Sequence, residues 1–184
     1  VWSAVALLAA AAIGPAVVPE SGAAPAAQHA LRLRHALLQP PVIAVMLGGL
    51  LMSVAHAPLY TFLSLHLVDH GYSKGAIGAL WSLGVCAEIV VFAFMPRLLG
   101  VGSLRVLLVG CFLLAALRFV LIGWLPDLVG VVVFAQLLHA ASFGAHHAAS
   151  VTALNRWFAP HREGTVQSVF GSLSYGAGGI IAGV

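Results

Sequence analysis

Apolar runs about as long as a bilayer is thick recur along this chain, with only short polar breaks between them. They cover residues 1–18, 41–65, 76–95, 106–124, 128–154 and 166–184. A helix needs roughly 20 mainly apolar residues to cross a hydrocarbon core of about 30 Å. None of the runs alternates with the period of two that a barrel strand would show. In lipid every backbone polar group must be satisfied within the spanning structure, which leaves helices. The expected fold is an all-α membrane protein, a polytopic transmembrane bundle of five or six helices.

Composition agrees. Of 184 residues only 7% are charged and 61% are hydrophobic, whereas a soluble domain carries about 25% charged residues. So few charges could not cover a soluble surface, and the lipid bilayer is the expected surrounding. The net charge of +3 does not point to nucleic acid, because the eight basic residues, seven of them scattered over loops, form no basic face. Cys86 and Cys111 lie inside apolar runs, where small packing residues are the ordinary reading. The chain starts within one apolar run and stops within another, without a basic region ahead of the first. A piece of a longer protein is therefore expected, and a secretory signal is not.

Loop charge orients the spans. Arg32, Arg34, Arg97, Arg105, Arg156 and Arg162 fall on one side of the alternating layout, and Lys74 alone on the other. Basic loop residues stay on the cytoplasmic side of a membrane. This places the 19–40 linker and the 96–105 and 155–163 loops in the cytoplasm, with 66–75 and 125–127 outside.

A few polar residues remain inside the spans: Glu88, Arg118, Gln136, His139, His146 and His147. A charged group at such depth costs at least about 2.5–3.5 kcal/mol and normally faces a protein interior or a wet cavity. At roughly 1.5 Å per residue, Glu88 and His139 lie about 17–18 Å from the outer ends of their helices, and Arg118 about 9 Å. Either the three share one site, or Arg118 and Glu88 form a structural ion pair. Helical spacing puts Gln136, His139, Phe143, His146 and Ser150 on one stripe, with His147 turned about 100° from it toward a helix contact. Gly49, Ser53, His56, Tyr60 and Ser64 form a second stripe, on a helix that Pro58 can kink. Trp81, Glu88 and Phe92 form a third. An aromatic and a charge on one face suit an amphiphilic organic ligand, although Tyr60 and Trp81 can equally be packing residues. Gly171, Tyr175, Gly178 and Ala182 have close-packing spacing.

Several motifs in order carry a resemblance: His56-Ala-Pro-Leu-Tyr60, Asp69-His70-Gly71-Tyr72-Ser73, Ile77-Gly78-Ala-Leu-Trp81, Glu88-Ile-Val-Val-Phe92, His139-Ala-Ala-Ser-Phe-Gly-Ala-His146-His147 and Ser172-Leu-Ser-Tyr175-Gly176. From about residue 41 onward the chain resembles the C-terminal half of the 3-phenylpropionate transporters, major facilitator proteins related to lactose permease. The resemblance implies a twelve-helix parent. Residues 1–18 would end its sixth helix, 19–40 would be the cytoplasmic linker between halves, and 41–184 would run from the seventh helix into the eleventh. It further implies that Glu88, Arg118 and His139 match the positions lactose permease uses for substrate binding and proton coupling. Two positions depart. Ser142 stands where that relative has a second carboxylate, and Gln136 where it has a lysine, so the proton acceptor does not transfer whole. The 96–105 loop lacks the acid of the superfamily's loop motif.

The function expected is secondary transport: proton-coupled uptake of a small organic or aromatic acid across a bacterial inner membrane, by a multi-pass protein completed by its N-terminal half. Arg118, His56, Tyr60 and Trp81 would bind the substrate, and Glu88, His139 and His146 would handle the proton. An exporter of drugs or metabolites in the same superfamily is the alternative. A metal or haem protein using His139, His146 and His147 is a different class, but these histidines fit no compact ligand signature. No serine or cysteine sits in a nucleophile motif, so neither an enzyme nor a cofactor is expected.

Overall fold

The computed structural model describes residues 33–182, all of whose regular structure is helical. Residues 1–18 and most of the 19–40 linker lie outside them. A short helix α1 (Leu33–Leu37) precedes α2 (Pro40–Asp69), which begins with prolines where their missing N–H groups cost nothing. Next come α3 (Lys74–Val101) and α4 (Leu104–Trp124). Ser73 and Ser103 cap them, each side chain accepting from the backbone N–H three residues on. The α2–α3 turn needs Gly71, whose φ of 80° other residues rarely adopt.

The fourth long helix, α5 (Val129–Trp157), is interrupted by a π-helical stretch at Ala140–Ala145. The last, α6, runs Glu163–Gly171, continues through a second π stretch at Ser172–Ala177, and ends as Gly178–Ala182. Helices α2 to α5 are each long and apolar enough to cross a bilayer. Residues 163–182 are not among these, since five glycines and several hydroxyls dilute their apolar character. The expected spans agree with α2 to α5 to within a turn or two at each end.

Helix α5 is the hub, packing on α2, α3, α4 and α6, while α6 lies along α2. Two apolar clusters hold the bundle. Met52, Leu67, Phe112, Ala115 and Val132 belong to one; Val45, Leu108, Ala149, Leu154 and Phe170 belong to the other. Gly178 brings α6 against α2, where a Cβ would meet Ser53 at 3.1 Å, so its spacing does serve packing. Gly171 meets nothing within 4 Å. Helix α3 is the least covered of the long helices and leaves Ile89, Phe92 and Phe94 exposed.

Candidate functional site

Arg118 is the largest completely buried side chain among the described residues. Projecting from the middle of α4, it donates from Nε to the Ala135 carbonyl at 3.1 Å and from Nη2 to Gln136 Oε1 at 3.1 Å. Both partners are on α5, so two of the three guanidinium nitrogens are held. Its Nη1 has no partner, nor has the amide nitrogen of Gln136, itself 1% exposed. Arg118 and Glu88 are close enough to interact electrostatically. Among the described residues, however, no contact ion pair joins them, and the guanidinium's bonds go to α5 instead.

His56 on α2 is fully buried. Its Nδ1 bonds the Met52 carbonyl at 2.9 Å, while Nε2 has no partner. Its ring meets Phe119 edge-on with centroids 5.3 Å apart and lies 6.2 Å from His139. His139, 5% exposed, stacks on Phe143 at 5.5 Å and makes a long 3.5 Å contact from Nε2 to the Tyr60 hydroxyl. Its Nδ1 is unpartnered. Six buried side-chain polar atoms among the described residues lack a partner, and four of them belong to Arg118, Gln136, His56 and His139. Each such orphan costs about 1–3 kcal/mol. Their concentration in one place is the pattern of a site that meets a polar ligand or water.

An aromatic wall stands beside these groups. Tyr60 stacks on Trp81 with centroids 5.8 Å apart and planes 18° from parallel. Trp81 is oriented by its indole N–H, which donates to Ser64 at 3.1 Å. Tyr60 is 43% exposed, so the wall opens at the α2–α3 face. Glu88 borders the same region from α3, half-buried against Gly144 of α5. Of the α3 stripe, Trp81 and Glu88 turn inward while Phe92 is exposed.

Phe143 divides this cluster from a second polar pocket. Its ring approaches His56, Tyr60 and His139 on one side and Tyr175 on the other. Beyond it, Ser53, His146, His147, Ser174 and Tyr175 line a cavity of about 10 Å³, room for about one water. His146 is buried, lies edge-on to Phe112 at 5.0 Å, and is near enough to His56 to interact with it electrostatically. His147 shares a 2.8 Å hydrogen bond with the Tyr175 hydroxyl, so it is indeed a helix–helix contact. Both π stretches border this pocket, Phe143 on one and Ser174 with Tyr175 on the other.

The sequence reading missed three features. Gln136 is the residue that orients Arg118, and Phe143 is the divider. Tyr175, taken as packing, is a polar lining residue. The i→i+5 bonds of a π stretch displace the helical phase, and the one signal for them is a glycine in each stretch, Gly144 and Gly176. Among the described residues no group of three or more His, Cys, Asp or Glu is placed to hold a metal ion.

Comparisons with known proteins bear on this arrangement. A family model described as the MFS_1 like family matches residues 6–184. A curated protein of Escherichia coli (strain K12), named "Probable 3-phenylpropionic acid transporter", is 32% identical over 129 residues. The match covers 68% of this chain and 33% of that protein, so the chain spans about a third of the relative's length. No solved structure matches the chain at a significant level. The transmembrane bundle described above is thus that of a major facilitator protein, and the chain belongs to the MFS_1 like family.

Proposed function

We propose that this segment supplies the C-terminal part of a secondary transporter that takes up a small organic acid, of aromatic type, together with protons. A bacterial inner membrane is the setting that the Escherichia coli relative suggests, and the N-terminal part of the same protein would complete the site. The observation that carries the reading is the buried Arg118, locked by Ala135 and Gln136 with Nη1 left over. A fixed, desolvated guanidinium edge recognises a carboxylate. The stacked Tyr60–Trp81 pair offers an apolar face for the rest of the molecule. Arg118, His56, Tyr60 and Trp81 contact the substrate, and Glu88, His139 and His146 pass the proton through the bundle. The relative's printed name supports an arylpropionate as the type of acid. Alternating access then rocks this bundle against its partner half around a midplane site.

The test compares uptake of 3-phenylpropionate by the full-length protein and its Arg118→Lys variant. An ammonium keeps the charge but loses the fork to Ala135 and Gln136. Apparent affinity should fall at least about tenfold, roughly 1.4 kcal/mol, at normal protein abundance. The uncharged alcohol of the same skeleton should not compete. Undiminished uptake by Arg118→Lys, or equal competition by the alcohol, would sink the carboxylate reading.

A further inference from the structure

We infer that His56 is the residue that holds the proton bound together with the anion, the two being linked through Arg118. This rests on the transport reading above. A carbonyl oxygen can only accept a hydrogen bond, so the 2.9 Å contact to Met52 requires that Nδ1 of His56 carry hydrogen. That holds for the neutral ring and for the imidazolium alike. The neutral ring must then present a bare lone pair at Nε2, the buried atom without a partner. A proton can enter or leave at Nε2 without breaking the bond that positions the ring. Among the buried histidines of the described residues, only His56 has this arrangement. Nδ1 of His139 is free and its Nε2 touches a hydroxyl able to donate or accept, so its tautomer is not fixed.

The coupling follows from charge. The titratable and charged groups facing His56 are Arg118 from α4, and His139 and His146 from α5, with Tyr60 on α2 itself. Arg118 is the permanent cation among them. A second positive charge on His56 is opposed by Arg118, and a carboxylate held at Arg118 Nη1 and the Gln136 amide removes that opposition. Anion binding therefore favours the proton, and by reciprocity the proton favours the anion. The unpaired buried guanidinium alone would bind an anion without stoichiometric coupling. The orphaned Nε2 beside it turns the same pocket into a site for anion plus proton. The proton arrives from solvent at Nε2 as the anion enters and leaves to solvent when the anion departs, with no covalent bond changed. Glu88, His139 and His146 set how fast it travels, whereas His56 sets whether it is retained.

The experiment measures proton uptake when 3-phenylpropionate binds to purified full-length protein in weakly buffered detergent solution. Wild type should take up roughly one proton per anion bound when both sites are coupled. His56→Asn keeps a donor toward Met52 but has no protonatable second nitrogen. His56→Gln places an amide near the Nε2 position and serves if the first variant folds poorly. Both should bind the anion with almost no proton uptake, and both should exchange substrate but not accumulate it against a gradient. Tyr72→Phe, in the α2–α3 connection and remote from the cluster, should keep the wild-type proton uptake. Proton uptake retained in a His56 variant, or lost in Glu88→Gln but not in His56→Asn, overturns the assignment. Anion binding by wild type without proton uptake overturns the coupled-transport reading itself, and failure of the anion to bind overturns the carboxylate site beneath both.

Discussion

Gly144 and Glu88 meet with no side chain between their helices: a Cβ on Gly144 would stand 2.7 Å from Glu88 Cγ and 3.2 Å from its Oε1. The carboxyl-bearing side chain of α3 is thereby seated on the π stretch of α5, one turn from His139. Gly49 has the same kind of role on α2, where a Cβ would overlap the Phe170 ring and lie 2.5 Å from Ser174 Oγ.

These approaches predict a graded glycine series. Gly49→Ala meets a rigid ring and should destabilise by about 1–3 kcal/mol through overpacking. Gly144→Ala meets a flexible side chain, which can swing aside, so stability should fall less while Glu88 is displaced and proton-driven accumulation suffers. Gly78→Ala meets nothing within 4 Å and should be neutral or gain up to about 1 kcal/mol from helix propensity. Thermal unfolding of the full-length protein in detergent ranks the three. Equal melting temperatures for Gly49→Ala and Gly78→Ala would contradict the packing described.

Sidedness can be tested at exposed positions near the helix ends. In a Cys86→Ala, Cys111→Ala background, a cysteine at Lys74 should react with an impermeant thiol reagent in intact cells. Cysteines at Arg97 and Arg156, both exposed at the opposite end of the bundle, should react only with a permeant one. Labelling of Arg97→Cys from outside would invert the orientation that the basic loop residues imply.

Tyr72, between α2 and α3 and outside the spans, ties two loops by donating its hydroxyl to the Pro126 carbonyl at 2.7 Å. Partial removal from water, and then the nearby Asp127 carboxylate, hold its phenol above the usual 10.0. A raised value means that the folded state keeps this proton more tightly than the unfolded chain. Its stabilising contribution is thus complete below about pH 10 and is lost as pH climbs through the folded value. Tyr72→Phe should cost about 1 kcal/mol near neutrality, the net worth of one hydrogen bond, and the gap to wild type should close at strongly alkaline pH. Melting curves of both proteins across that range check the sign, and a gap that widens with pH would refute it.

Hydrophobicity and charge are properties of short stretches, so the sequence by itself determined the helical class, the four apolar spans α2 to α5 to within a turn or two, and the intramembrane polar residues with their depths. Lipid imposes those on any chain of this composition, whatever the helices do to one another. It also made the polar stripe of α5 legible, since Gln136, His139, Phe143, His146 and Ser150 follow three-and-four spacing and all but Phe143 are buried, although the π stretch at Ala140–Ala145 shifts the phase within it. Which polar atoms meet depends on the rotation and spacing of one helix against the next, and that only the tertiary structure decided. From sequence, Arg118 had Glu88 as its natural partner by charge; in the bundle its fork closes on Ala135 and Gln136, because α4 packs along α5. The Tyr60–Trp81 stack, the Phe143 divider between two polar pockets and the bare Nε2 of His56 arise in the same way. Two π stretches shift the phase of α5 and α6, and close-packed neighbours hold each side chain where local pattern could not place it.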